Sequence, residues 1–275
     1  MTRTSSSATA RPTAVGGSRP DRRIGPRDLT EWRTPAGRRL ASQHREIAKR
    51  VGARRALVAT LAVGGSILAA ATVGAAYIYD GVTDRDGIGR LDRPALEKAK
   101  ALRSPVVNGA AATLAHVFGP IAMPALTVGA AVAFGVRDRR ANPVTLIVAA
   151  GAGSLAMTVI GKKLIARNRP PRHEAIPPFE KSPSFPSGHT LNTTTILGVL
   201  AYLVALRQEK NGPQVAVIGG AAAAAVTVGL SRVLLGAHWF TDVAVGWVTG
   251  TGWLSLIITS HRLYLSAQDD DEIGE

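Results

Sequence analysis

The sequence predicts an all-α polytopic membrane protein, a bundle of six transmembrane helices. Two observations predict it. Six long apolar tracts without a single charged residue follow one another between residues 56 and 260, and ten of the formal net charge of +14 sit in the first 55 residues. The averages conceal this pattern, since 46% hydrophobic, 19% charged and a mean hydropathy of +0.12 would suit an ordinary soluble domain. Charge segregated from long apolar tracts excludes both a disordered chain and a nucleic-acid binder spread over a basic surface.

The first 55 residues carry 14 Lys and Arg against four acidic residues, and they are rich in Ser, Thr, Gly and Pro. They read as a basic, largely disordered cytoplasmic tail, with a short helix possible between Glu31 and Arg55. Contact with anionic lipid and a solvated tail that sets topology are both open readings of it. The spanning domain then extends over 56–262. Ala56 to Tyr79 is long enough to cross about 30 Å of hydrocarbon and too long for the apolar core of a cleavable signal peptide. Val106 to Val136 contains His116, Pro120 and Pro124, and is expected to form one kinked span with an interfacial lead-in, His116 serving helix packing. The remaining spans are expected at Ala141–Gly161, Leu191–Leu206, Gln214–Leu230 and Val243–Ser260. Residues 263–275, ending in acidic positions, read as a solvated cytoplasmic tail.

With six spans, the tail, the loop Arg137 to Arg140, the turn near Arg207 and Lys210, and Arg262 share one side. The positive-inside rule makes that side cytoplasmic and both termini with it. The loop from Asp80 to Arg103 is nearly balanced, with six basic and five acidic residues, as an outer loop should be. Lys162 to Lys181 is basic yet falls outside, so its charge calls for a functional explanation.

No cysteine is present, which removes thiol nucleophiles, disulfides and iron-sulfur clusters. The polar residues of the spanning half gather in three segments, all at the outer face of this topology. Lys162 to Pro170 leaves the third span. Phe185-Pro186-Ser187-Gly188-His189-Thr190 opens the fourth, where Pro186 and Ser187 predict a helix start whose unsatisfied amides suit an anion. A simple turn is the rival reading of Pro-Ser-Gly. Ser231-Arg232, His238 and Asp242 bridge the fifth and sixth. The i, i+4 spacing of His238 and Asp242 places both on one helix face, where the carboxylate can fix the imidazole tautomer. Lys162, Arg169 and Arg232 brought together need a compensating anion, which a phosphate supplies. Two histidines and an aspartate could hold a metal, but three cations beside them argue against it. Lys163, Arg167, Arg172 and His173 read as solvated interfacial charges.

Together the segments resemble the signature of the type 2 phosphatidic acid phosphatase superfamily, Lys-x6-Arg-Pro, Pro-Ser-Gly-His and Ser-Arg-x5-His-x3-Asp, with every fixed position matched. The resemblance covers about residues 56–260. It implies a metal-independent and cofactor-free membrane lipid phosphatase or diphosphatase with an extracytoplasmic active site. It also implies the roles: His238 the nucleophile that forms a phosphohistidine, Asp242 its support, His189 the proton donor to the leaving oxygen and then the base for water. Lys162, Arg169, Arg232 and the backbone at Ser187 and Gly188 would hold the phosphoryl oxygens. The expected partner is a bilayer lipid: polyprenyl diphosphate, slightly favoured because spent carriers emerge outside, phosphatidic acid or phosphatidylglycerophosphate. A vanadate-dependent haloperoxidase shares these residues but is soluble, which six spans oppose. A transporter or lipid-binding protein with a vestigial site would be expected to have lost part of the set.

Overall fold

The structure is a computed structural model and describes residues 23–81 and 88–271. Its described part is helices joined by loops, with one hairpin of two two-residue strands. β1 (Arg23–Ile24) pairs antiparallel with β2 (Arg27–Asp28), Arg23 opposite Asp28. Gly25 makes the turn at φ +59°, where a Cβ would lie 2.8 Å from the Arg207 backbone. Nine α-helices follow among the described residues: α1 (Pro35–Val51), α2 (Ala53–Gly81), α3 (Asp92–Ala101), α4 (Pro105–Val117), α5 (Ala122–Asp138), α6 (Ala141–Ile165), α7 (Gly188–Ala205), α8 (Asn211–Leu234) and α9 (Phe240–Asp271).

Four of the described helices are long and apolar enough to cross a membrane: Ala53–Thr72, Ala141–Ile165, Asn211–Leu234 and Phe240–Gln268. The pair α4 and α5, bent by 53° at the Phe118–Ile121 break, makes a fifth if counted as one broken span. This is the kink expected from Pro120 and Pro124. Ala111 and Ala115 of α4 pack on Leu235 and Ala237, so α4 lies against the turn that follows α8. His116 is exposed, contrary to the packing role expected of it. Large apolar side chains such as Val63, Ile67, Val132, Val215 and Val248 are exposed along the helices, an arrangement suited to lipid and costly in water.

The expected fourth span is α7, and it does not reach the hydropathy of a membrane span. Its first turns carry His189, Asn192 and Thr193 to Thr195. The reason is its place in the fold: α7 packs against α6, α8 and α9, so most of its length is screened from lipid by protein. Thr194 and Thr195 satisfy their hydroxyls within the helix, donating to the Thr190 and Leu191 carbonyls at 2.8 and 2.9 Å.

Two expected boundaries need correction. The basic tail is folded over residues 23–55: Ile24 and Leu29 are buried in the core cluster with Leu203 and Leu265, and Arg262 stacks over the Trp32 ring at 4.3 Å. α1 is capped by Thr34, whose hydroxyl accepts from Gly37 N at 3.1 Å, and it buries Ala41, His44 and Ala48. The few isolated apolar residues of a basic, Gly-rich and Pro-rich segment find partners only on the assembled bundle. At the other end α9 runs on past residue 262 to Asp271, with Leu263, Leu265 and Ala267 buried. Residues 1–22 and 272–275 lie outside the described residues.

The two ends of the bundle differ in character. The hairpin, the α5–α6 turn, the α7–α8 turn and the far part of α9 meet at one end, where Arg207 pairs with Asp138 and His261 contacts Asn142 at 3.1 Å. α3, the end of α6, the start of α7, the end of α8 and the start of α9 meet at the other.

Candidate active site

All three motif segments converge at that second end. Lys162 stands in the last turn of α6 and donates to the Pro183 carbonyl. Arg169, in the following loop, donates from Nε to Ser182 O at 2.7 Å and from Nη1 to Ala237 O at 2.5 Å. Arg232, in the last turn of α8, is fully buried and donates to Glu180. Its Nε and Nη1 have no partner among the described residues. Two buried guanidinium nitrogens without an acceptor are costly and mark a place for an anion.

His238 and Asp242 are adjacent but not on one helix face as expected. α9 starts at Phe240, so His238 stands in the turn before it and Asp242 in the first helical turn. Asp242 reaches back to accept the Trp239 amide at 2.9 Å, the carboxylate half of a capping box, which fixes it beside the histidine. The His238 Nδ1 to Asp242 Oδ2 distance is 3.6 Å. Arg169 Nη1 lies 3.2 Å from His238 Nε2. A guanidinium only donates, so Nε2 accepts and the proton belongs on Nδ1, facing Asp242. The Nε2 lone pair is thus directed toward the cations.

His189 is held from the other side. Its Nε2 lies 3.0 Å from the Ala115 carbonyl, an acceptor, which leaves Nδ1 facing the site. Gly188 opens α7 where a Cβ would meet Thr158 Cγ2 at 2.8 Å, so the helix start can approach α6 only without a side chain. Ser187 occupies the N-cap position but makes no side-chain cap. Its hydroxyl accepts from Thr190 at 2.9 Å, and its amide donates to the Asp242 carbonyl at 3.2 Å. The amide expected to bind phosphate at Ser187 is therefore used to join α7 to α9. The amides of Gly188 and His189, the first two helical residues, lack acceptors within α7.

Four residues to which the sequence assigns no part in the chemistry complete the site. Arg167 donates to Asp242 at 2.5 Å and to Asp92 at 2.7 Å, so it is structural to the site and not a solvated charge. Asp92, at the start of α3, also accepts the Thr241 amide at 2.8 Å, tying α3 to the first turn of α9. Ser184 donates to Asp242. Glu180 stands among the cations, with Oε2 2.7 Å from Arg169 and Oε1 on Arg232. Burial alone would raise the Glu180 carboxyl, but the guanidinium charges of Arg232 and Arg169 outweigh it and hold the group below the usual carboxylate range. The available signal for Glu180 was its position inside the basic stretch 162–181, where it and Glu174 are the two acids among many cations and imply ion pairs. Asp92 had no signal beyond a helix start.

The rim of the site is sewn by Glu174, which takes Arg93 at 2.8 Å and Lys100 at 3.0 Å. These two hold its carboxyl down at about 2, Arg93 contributing most. A cavity of 620 Å³ leads away from Lys162, Glu180, Gly188 and His189 along an apolar wall of Phe118, Met123, Val148, Leu155 and Ile196. A group with an anionic head and an apolar tail matches this gradient.

Comparison with known proteins gives three findings. The family profile described as PAP2 superfamily matches residues 142–264. Phosphatidylglycerophosphatase B of Bacillus subtilis (strain 168) is 33% identical over 161 residues, 57% of this chain and 76% of that protein. The crystal structure of a transmembrane PAP2 type phosphatidylglycerolphosphate phosphatase from Bacillus subtilis superposes with a TM-score of 0.58, at 24% identity, over 75% of this chain and 97% of its own. That last likeness is one of fold.

Proposed function

The chain belongs to the PAP2 superfamily and is a membrane lipid phosphatase of that type, and from that premise we propose that it hydrolyses a lipid phosphate without metal, through a phosphohistidine on His238. One observation carries the mechanism: Arg169 donates toward His238 Nε2 at 3.2 Å, which leaves that nitrogen unprotonated and turned to a site lined by Arg169 and Arg232. In the first step Nε2 bonds to phosphorus and the phosphorus–oxygen ester bond breaks. For this step His189 carries a proton on both ring nitrogens, Nε2–H on the Ala115 carbonyl and Nδ1–H toward the leaving oxygen, and the Nδ1 proton passes to that oxygen. His189 then takes a proton from water as the hydroxide attacks phosphorus, the nitrogen–phosphorus bond breaks and inorganic phosphate leaves. Lys162, Arg169, Arg232 and the Gly188 amide spread the charge on the equatorial oxygens. The donor set supports metal independence, since Lys162, Arg169 and Arg232 gather positive charge there and the carboxylate among them, Glu180, is already paired with two of the three.

Phosphatidylglycerophosphate is the first substrate to test, because the 33% identical relative is named for that activity. Phosphatidic acid and polyprenyl diphosphate follow. The apolar cavity beside the cation site supports a lipid tail lying between α5, α6 and α7. We assign the site to the extracytoplasmic face, with six helices crossing and both termini inside. Supporting this, the site lies at the end of the bundle opposite the basic residues Arg137, Arg140, Arg207 and Arg262. The test is phosphate release by the detergent-purified protein in excess chelator, with the three lipids in parallel and His238→Ala as control. Release that survives chelation and is lost in His238→Ala is expected; an active His238→Ala protein overturns the mechanism.

A further inference from the structure

Glu180 is not one of the residues that the phosphatase mechanism uses, yet its carboxylate sits at the centre of the site. Oε2 lies 2.7 Å from Arg169 Nη2 and 3.8 Å from His238 Nε2, the nitrogen that must face phosphorus. Oε1 pairs with Arg232 and lies 3.5 Å from His189 Nδ1, the nitrogen that must face the leaving oxygen. Four groups that would each meet a phosphoryl oxygen, or phosphorus itself, therefore meet one carboxylate. No phosphoryl group can enter this arrangement while Glu180 holds it.

We propose that Glu180 is an internal occupant of the phosphoryl site, holding Arg169 and Arg232 in place in the unliganded protein and yielding to the phosphoryl group of the substrate by anion exchange. The proposal rests on the phosphatase reading above for the identity of the incoming anion. Three features make exchange physically reasonable. Arg232 is fully buried and His238 has no exposed side-chain surface, whereas the Glu180 side chain keeps 23% of its surface exposed, so it stands at the mouth and can leave toward solvent. The backbone near it is held independently, Ser182 O by Arg169 Nε at 2.7 Å and Pro183 O by Lys162, so the side chain can swing while the loop stays. The two spare nitrogens of Arg232 show that a carboxylate underfills the site, and a phosphoryl group brings more oxygens.

Two consequences follow. The buried cations are never left without an anion, which would otherwise destabilise the site. Binding is discounted by the fraction of molecules in which Glu180 has swung away, so the residue tunes affinity for substrate and for the phosphate product alike.

The experiment uses the full-length protein in detergent, with binding of inorganic phosphate measured by titration calorimetry. Glu180→Gln keeps the shape and removes the charge, and Glu180→Asp keeps the charge on a stem too short to reach both arginines. Glu174→Gln removes an acid at the rim, paired with Arg93 and Lys100, and serves as the control for a general change in field. Phosphate is expected to bind about tenfold tighter or more to Glu180→Gln, and more tightly to Glu180→Asp than to the parent protein, with Glu174→Gln within about twofold. Unchanged or weaker phosphate binding in Glu180→Gln, with its melting temperature preserved, overturns the proposal. So does equal tightening in Glu174→Gln. Lipid hydrolysis by the same preparations is a separate readout: no hydrolysis of any lipid alongside tighter phosphate binding would refute the lipid phosphatase reading and leave the anion exchange standing.

Discussion

Replacing Asp242 with asparagine separates charge from shape at the nucleophile. The variant keeps the volume of the side chain and an oxygen that can accept the Trp239 amide, but removes the negative charge that faces His238 Nδ1 at 3.6 Å. Asp242 and His238 are both shut off from solvent, at 0% and 1% exposure. As Nε2 bonds to phosphorus the imidazole becomes cationic. At an effective dielectric of about 20, unit charges at this separation attract by roughly 4–5 kcal/mol. That corresponds to about three decades in rate. Arg167, 2.5 Å from the other carboxylate oxygen, offsets part of this, so a loss of about two to three decades in kcat is expected. KM should move little, because Asp242 touches His238, Arg167, Ser184 and Trp239 but none of the groups assigned to the phosphoryl oxygens. The assay is steady-state phosphate release from phosphatidylglycerophosphate in mixed micelles, with a melting curve to show that the fold is kept. A kcat within tenfold of the parent, or a loss appearing only in KM, would refute the electrostatic account of Asp242.

Arg167→Gln strips Asp242 and Asp92 of their shared cation, and removing one partner of such a buried pair costs about 3–5 kcal/mol; kcat should fall at least tenfold and the melting temperature should drop, with Arg167→Lys restoring part of both. Thr127→Trp places a ring in the apolar cavity, so KM for a long-chain lipid phosphate should rise about tenfold while hydrolysis of a water-soluble phosphate monoester stays within about threefold; equal loss on both substrates would place the lipid tail elsewhere. Glu174 has a carboxyl held at about 2 against an ordinary 4.5, so its ion pairs contribute fully above that ordinary value and are lost as pH falls toward 2. The melting-temperature advantage of the parent over Glu174→Gln should therefore be constant above about pH 5 and shrink below it; an advantage that grows with acid would contradict the pairing with Arg93 and Lys100.

Much of the fold was legible because membrane insertion imposes a long-range constraint on composition that a single chain displays: a span must be apolar over its whole length. α6, α8 and α9 declare themselves this way, and the bend between α4 and α5 follows from Pro120 and Pro124. α7 is legible as a helix, but its membership of the set is of another kind, because neighbours shield it and it can carry His189, Asn192 and a run of threonines. Residues 23–55 do not declare their folding in the sequence, for the converse reason. Ile24, Leu29 and Trp32 are too sparse to signal a packed segment, and only the finished end of the bundle, with Leu203, Leu265 and Arg262, supplies their partners.

By itself the sequence determined the all-helical membrane class, the three polar segments and the types of residue available for phosphate chemistry. These depend on local properties, hydropathy over a span and the donor capacity of a side chain, which are written residue by residue. Only the tertiary structure decided which groups meet. That Asp242 reaches His238 from the first turn of α9, that Ser187 spends its amide on the Asp242 carbonyl, that Arg167 bridges Asp242 and Asp92, and that Glu180 stands between both histidines are contacts across 9 to 75 residues of chain or across a turn whose geometry the spacing does not fix. Such contacts are set by how five segments dock at one end of the bundle, and no periodicity in the chain records that docking.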